Sequence, residues 1–462
     1  MTEAVPFTVR LPNELWDAVL SVLQQQKDRD ALSSFAFTSR RCRHLALPYI
    51  FSKLSVAHDP CAKSSRAFLP LILSSPLIAT FIHDLTLHKA FTHAIPAGGK
   101  PALPPTLGVN QLAQILQALP ALRKLTVNCD LSDADPIHGT SSPSLPLAIA
   151  VQLDYLTLNI AHIRSSGCPL STFVRFLSLF STIDHLVVNT LPYGTSCVCR
   201  ADSLSTETHE QATDEDIGNL FHRPGHILPS LTIRSINSCT GISSTSQHVF
   251  SHLFAHLART SDPHHSSCSL ILTFGNPSSK MCQTLIAGYG SRLGHCDLKL
   301  GNSIHDWPTG STRPPRCSTR IDLSSCTSLT SLAISGVWFL KLRDSTTALP
   351  GAASFAFADI LSSVHPSTME CLTLSLKVLS GLHATSVEYL RDCVFPLVCW
   401  RDLRLVLLER FSALRQFTLQ WTLLTTDEFS EVALKWMRET IEEELGQWVK
   451  TGVLKVELAT RR

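Results

Sequence analysis

Hydrophobic positions in the first sixty or so residues recur at helical spacing. Pro12 stands where a first helical turn tolerates a missing N–H, and Leu15, Val19 and Leu23 then repeat every four residues, with Trp16 and Leu20 on the flank. This predicts an amphipathic helix of about three turns. Lys27, Asp28, Arg29 and Asp30 break the pattern, and Asp30 is placed to cap a second helix carrying Leu32, Phe35 and Ala36. A third helix begins near Ser39, passes through Arg40, Arg41, Cys42, Arg43 and His44, and buries Leu45 before Pro48 ends or kinks it. Tyr49, Ile50 and Phe51 then lead towards Leu54 and Val56. Three helices in about 45 residues bury too little apolar surface to be secure alone, so the module calls for a partner or a second domain.

From Phe68 onward one phrase recurs: an apolar-periodic helical segment, a short break, then a strand of the form hydrophobic-x-x-hydrophobic-x-hydrophobic. Its copies are Ile82, Leu85 and Leu87; Leu122, Leu125 and Val127; Leu153, Leu156 and Leu158; and Ile183, Leu186 and Val188. After a less regular middle come Leu329, Leu332 and Ile334; Met369, Leu372 and Leu374; Trp400, Leu403 and Leu405; and Leu414, Phe417 and Leu419. Helical segments precede several of them, at 109–119, 170–180, 247–258 and 355–364. A unit of this kind cannot bury both its faces alone, so neighbours stack, strands form a parallel sheet and helices line the outside.

The phrase resembles leucine-rich repeats, with two departures. The copies lie roughly 30 to 40 residues apart instead of ~20 to 29, and the Asn or Cys expected after the strand is replaced by Asp130, Ala161, Leu191 or Val337. The expected fold class is therefore α/β, with residues 66–462 forming an irregular leucine-rich-repeat-like solenoid. A doubly wound α/β domain is the alternative. Segments 93–108, 132–146, 193–229 and 302–320 interrupt the repeats as long loops, and insertions in such arrays tend to gather on the binding face. At the C-terminal side a helix over 427–448, with Phe429, Val432, Ala433, Trp436, Leu445 and Trp448 on one side, and a last strand over 453–458 are expected to cap the array. Glu431 with Lys435 and Arg438 with Glu442 are placed for ion pairs on its other side.

The N-terminal module resembles the F-box, in particular the F-box proteins abundant in mushroom-forming fungi. Leu11-Pro12 with Glu14-Leu15 is similar to that family's opening Leu-Pro-x-Glu-hydrophobic signature, and Ala31-Leu32 to its middle helix. Ser39-Arg40 with Leu45, Pro48 and Ile50-Phe51 is similar to its closing pattern, and residues 68–87 resemble the first repeat that follows it. One position departs: Cys42 stands where many members carry Trp, a much larger side chain. The resemblance implies an F-box over 8–56 and a substrate-recognition subunit of a cullin-based ubiquitin ligase. A Skp-type adaptor would bind the module and the solenoid would hold a target protein. Leu11, Pro12, Leu15, Val19, Leu32, Leu45, Pro48, Ile50 and Phe51 are the positions it marks as adaptor contacts or their support. The alternative is an interaction scaffold with a degenerate F-box and no ligase coupling, for which Cys42 is the chief argument.

Composition changes this picture little. The chain of 462 residues is 44% hydrophobic and 16% charged, enough for a large core, and its net charge of +2 creates no field that would draw it to nucleic acid or anionic lipid. Neither a nucleic acid nor a membrane is expected as a partner. Residues 1–10 lack the apolar run of a secretory signal, and Pro70 and Pro76 cut the longest apolar stretch, 67–82, so a cytoplasmic or nuclear location is expected. Fifteen cysteines then read as reduced thiols.

Enzyme chemistry finds no support in the motifs. Gly288, Gly290 and Gly294 have the density of a phosphate loop but follow a helical segment and precede a strand at 295–300, the reverse of a dinucleotide fingerprint; helix-capping glycines explain them better. Cys197 and Cys199, with His264, His265 and Cys268 elsewhere, do not form the paired spacing of a zinc site. G-x-S-x-G, P-loop and H-E-x-x-H motifs are absent. The basic run Arg40, Arg41, Arg43 and His44 has no aromatic interleaving and reads as a solvated helix face. No catalytic residue, metal or cofactor is expected.

Overall fold

A computed structural model of the chain describes residues 12–58, 63–89, 106–132, 151–160, 163–164, 169–190, 232–240, 253, 255, 268–274, 279–300, 321–340, 352–380, 387–424 and 431–461. These form a mixed α/β protein with parallel sheets, in two compact units that divide between Thr182 and Ile183.

The first unit opens with three helices, α1 (Asn13–Gln25), α2 (Arg29–Thr38) and α3 (Arg40–Phe51). Ser52 alone separates α3 from β1 (Lys53–His58), which pairs in parallel with β2 (Asp84–Lys89). β4 (Lys124–Asn128) and β6 (Val151–Asn159) extend the row in chain order. A second, three-stranded sheet is made by β3 (Thr106–Gly108), β5 (Asp130–Ser132) and β7 (Ile163–Arg164). Helices α4 (Lys63–Ser74), α6 (Val109–Ala118) and α7 (Pro169–Leu177) pack against their neighbours in turn, with the single-turn α5 (Pro76–Ala79) before β2.

The period-two part of the repeated phrase accounts for the sheet. Leu54, Leu85, Leu125 and Leu156 stand opposite one another, and two residues on so do Val56, Leu87, Val127 and Leu158. From Leu85 and Leu87 onward all are buried, each contributing about 1.5 to 3 kcal/mol. The alternate face carries Ser55, Thr86, Thr126 and Thr157. The first hydrophobic of the phrase lies in the turn before the strand at Ile82 and Leu122 and inside the strand at Leu153 and Ile183, and is buried in all four.

In the second unit the order is β8 (Phe180–Thr190), β9 (Thr232–Thr240), β10 (Cys268–Phe274), β11 (Leu293–Leu300), β12 (Ser331–Leu340), β13 (Cys371–Ser380), β14 (Gln416–Leu424) and β15 (Leu454–Arg461). Its buried ladders run Leu270, Cys296, Leu332, Leu372, Phe417, and Leu272, Leu298, Ile334, Leu374, Leu419. Neither row of described strands reverses direction, so neither contains the switch point at which doubly wound sheets bind ligands.

Several expectations need correction. Trp400, Leu403 and Leu405 were expected in a strand; they lie in the helix Trp400–Arg410. Trp400, Leu403 and Leu407 are buried at helical spacing, while Leu405, on which the period-two reading depended, is exposed. Phe180 opens β8 instead of ending a helix. The expected C-terminal helix is two, Glu431–Glu444 and Gly446–Lys450, broken at Leu445, with 427–430 outside the described residues; its strand runs to Arg461. Val432 is exposed, and Ala433, Met437 and Ile441 form the buried side, with Leu445 and Trp448 following. Lys435 pairs with Glu439 at 3.8 Å. The expected loops lie mostly outside the described residues, but Thr106–Gly108 and Ser132 at their ends belong to the three-stranded sheet. Of 247–258, Leu253 and Ala255 are described, both helical and buried.

Candidate functional site

Residues 12–58 expose four large hydrophobic side chains, Leu15, Val19, Val22 and Phe37, and the local chemistry of this part explains how it is held. The carbonyl of Pro12 accepts from the N–H groups of Leu15 and Trp16, starting α1. At its other end the N–H of Asp28 reaches Leu23 O at 3.0 Å and that of Lys27 reaches Gln24 O at 3.0 Å, a Schellman closure with Lys27 at φ 60° where glycine is usual. Asp28, not Asp30, caps α2: its Oδ1 accepts from Ala31 N at 2.9 Å, because the tight closure leaves Asp28 as the last residue outside the helix. Ser39 ends α2 in extended geometry and caps α3, its Oγ accepting from Cys42 N at 3.1 Å. Pro48 neither ends nor interrupts α3, which continues to Phe51.

Side chains tie the three helices together. Trp16 packs on Phe35 with ring centroids 4.8 Å apart, and Leu20, Leu32 and Ala46 form the buried centre. Arg41 Nη2 donates to Asn13 Oδ1 at 2.6 Å, Tyr49 Oη to the carbonyl of Asp17 at 3.2 Å, and Gln24 Nε2 to Tyr49 O and to Ser52 Oγ. Burial, and then the Asp17 carboxylate, raise the Tyr49 phenol above its ordinary range, so it stays a donor. The Ser39 and Thr38 side chains lower the Cys42 thiol. Cys42 itself is half-buried.

The predicted contact residues separate into three groups. Leu32 is core. Leu45, Pro48, Ile50 and Phe51 are half-buried along α3. Pro12 is exposed at the start of α1, and Leu15 and Val19, which the resemblance marks as adaptor contacts or their support, are 52% and 48% exposed. The inward side of α1 passes through Trp16 and Leu20, the two flanking residues, with Leu23 half-buried beyond them; Trp16 meets Phe35 of α2, and Leu20 is fully buried. Leu11 lies outside the described residues.

Two further residues belong with the exposed group. Val22 is 49% exposed, one turn beyond Val19 on the same side of α1, and Phe37 is 89% exposed near the end of α2. The spacing of Val22 from Val19 was a readable signal. So was that of Phe37: two residues from Phe35 on a helix, it cannot join the side on which Phe35 meets Trp16. Singly exposed hydrophobics are ordinary; Leu15, Val19 and Val22 instead form a run of three along one side of α1.

The other candidate chemistry is not assembled. Among the described residues there is no group of three or more His, Cys, Asp or Glu able to hold a metal ion. Cys197, Cys199, His264 and His265 lie outside them, and Cys268 is buried in β10. Gly288 lies in the helix Ser279–Tyr289, Gly290 follows it at φ 50°, and Gly294 is in β11, so this stretch runs helix to strand. No described helix is long and apolar enough to cross a membrane. No family model matches the sequence, and no curated protein matches it.

Proposed function

We propose that this chain is the substrate-recognition subunit of a cullin-based ubiquitin ligase: residues 8–56 act as an F-box that docks on a Skp-type adaptor, and the remainder acts as an irregular leucine-rich-repeat-like solenoid that holds a target protein. The observation that carries the reading is the exposed apolar side of α1, Leu15, Val19 and Val22, on a module whose own centre is small. The residues that resemble the family signature, Pro12 and Leu15, fall on or beside that side. Strands that follow the chain order in each unit, with hydroxyl and charged residues alternating with the buried ladders, support the solenoid reading. In this role the chain makes and breaks no bonds. It raises the effective concentration of a target lysine at a ubiquitin thioester held by the rest of the complex. The scaffold alternative keeps one specific support, the smaller Cys42 where the resembled family often has Trp.

Titration of the purified full chain with a purified Skp-type adaptor tests the reading. Leu15→Asp with Val19→Asp is the informative variant because both residues are already exposed, so circular dichroism should remain that of the parent. Binding by the parent, weakened about a hundredfold or more in the double variant, supports the F-box. Failure of the parent to bind removes it. Adaptor binding without capture of a cullin by the binary complex favours the scaffold.

A further inference from the structure

β15 closes the row of the second unit with β14 as its hydrogen-bonded neighbour among the described strands. The ladder between them fixes which main-chain groups face away. Phe417 stands opposite Leu454 in parallel register, and its N–H donates to Val453 O at 2.9 Å. In a parallel pair, residues Val453, Lys455 and Glu457 therefore turn their N–H and C=O groups towards β14, and Leu454, Val456 and Leu458 turn theirs to the free side. Their side chains extend the apolar ladder of Phe417, Leu419 and Trp421 but are half-buried where those are fully buried. On the opposite face Lys455 and Glu457 form an ion pair at 2.6 Å, and Gln420 donates to Glu457 at 2.9 Å.

We propose that this edge pairs with the same edge of a second copy of the chain, antiparallel, about a twofold axis at Val456. The order of charges selects the register. With the axis at Val456, Lys455 of each copy faces Glu457 of the other, Leu454 faces Leu458, and Val456 faces Val456, whose outward N–H and C=O groups exchange hydrogen bonds across the axis. Moving the axis one residue puts Lys455 against Lys455 or Glu457 against Glu457, and like charges directly opposed are destabilising. A lysine in an open edge ordinarily discourages pairing. Here the glutamate two residues on answers it, and does so for this sequence read in reverse. A strand of unrelated sequence lacks that answer.

Sedimentation of the full chain across about 1 to 100 µM tests this, the range in which a small interface of good complementarity associates. The parent is expected to dimerise. Lys455→Glu alone, or Glu457→Lys alone, opposes like charges at two places and should raise the dissociation constant about tenfold or more. An equimolar mixture of the two variants should dimerise again, since one chain then offers two carboxylates and the other two ammonium groups. The ion pair within each strand cannot produce that recovery. Should a single variant lose its circular dichroism, the double variant Lys455→Glu, Glu457→Lys restores both kinds of pairing and must dimerise like the parent. A parent that stays monomeric, single variants that dimerise unchanged, or a mixture that does not recover would each overturn the proposal, as would a monomeric chain whose edge takes up an extended segment of another protein.

Discussion

The main-chain oxygen of His83 accepts the N–H of Arg123 at 2.9 Å, and that of the next residue, Lys124, at the same distance. The arrangement recurs at four further handovers. Ser52 O accepts from His83 and Asp84, Arg123 O from Asp154 and Tyr155, Thr330 O from Glu370 and Cys371, and Glu370 O from Arg415 and Gln416. At these five places the carbonyl just before a strand receives two donors from successive residues at the start of the next strand or, for Asp154 and Tyr155, within it. The relay itself is made of backbone groups, so its donors and acceptors do not depend on the side chains of His83, Arg123, Thr330 and Glu370, although His83 and Thr330 add side-chain bonds to Ala121 O and Gly294 O.

Position 123 separates backbone from side chain. Arg123→Ala removes an ion pair with Asp154 whose partners are 3.9 Å apart and well exposed, and should change stability by less than about 1 kcal/mol. Arg123→Pro removes the N–H that His83 O accepts and should cost at least about 1 kcal/mol more than the alanine variant. Urea denaturation of both variants against the parent measures the difference; equal midpoints would mean that the relay contributes nothing.

The caps of the first module can be ranked in the same way. Asp28→Ala and Ser39→Ala each remove an acceptor for a first-turn N–H, of Ala31 and Cys42, and should each cost about 1 kcal/mol. Asp30→Ala, in the first turn itself, should cost no more than a few tenths. If Asp30→Ala proved the costlier change, the cap would be misassigned.

Lys27 offers a stabilising substitution. It holds φ 60° at the position of the closure that glycine occupies without steric cost. Lys27→Gly should raise stability by roughly 0.5 to 1 kcal/mol, provided the relief exceeds the added freedom of the unfolded chain. A lowered denaturation midpoint would show the reverse balance.

These cases also show what the amino-acid order made legible. The strand phrase was readable because Leu85, Leu125, Leu156, Leu332 and Leu372 are each buried on one face of a sheet, which demands a period of two over at least four residues. Trp400, Leu403 and Leu405 were misread because an apolar residue at every second or third position suits both periods, and what decides is which of Leu405 and Leu407 is buried. β3, β5 and β7, of two or three residues, are too short to display any period. At the candidate docking surface the residues were recognised but not their orientation. Leu15 and Leu20 are both apolar, and the one that meets the other helices is fixed by the placing of Trp16 against Phe35, a long-range contact.

Gly288 illustrates a constraint invisible to propensity. Alanine is the better helix former by about 1 kcal/mol. A Cβ at this position, however, would lie 2.7 Å from both the Cα and the Cβ of Ala255. Since backbone as well as side chain must give way, Gly288→Ala should destabilise the chain by about 1 to 3 kcal/mol, as overpacking generally does. A thermal melt decides the sign, and a stabilised variant would mean that the segment around Ala255 yields freely.

Thiol reactivity separates Cys42 from Cys129. Cys42 is half-buried, and the side chains of Ser39 and Thr38 hold its thiol below the ordinary value of 9.0. A lowered pKa raises the thiolate fraction at about pH 8, and the thiolate is the species that alkylates. Cys129 lies buried between β4 and β5, where loss of solvent, helped by the Asp130 carboxylate, pushes its thiol up to about 12. Protonated and covered, it reacts only when the chain opens. Brief iodoacetamide treatment of the folded protein followed by peptide mass spectrometry should find Cys42 modified well before Cys129, with the gap closing in denaturant. Ser39→Ala should slow Cys42, because its thiolate loses its strongest hydrogen-bonding partner. Faster labelling of Cys42 in that variant would mean that cap loss and local opening outweigh the electrostatic effect.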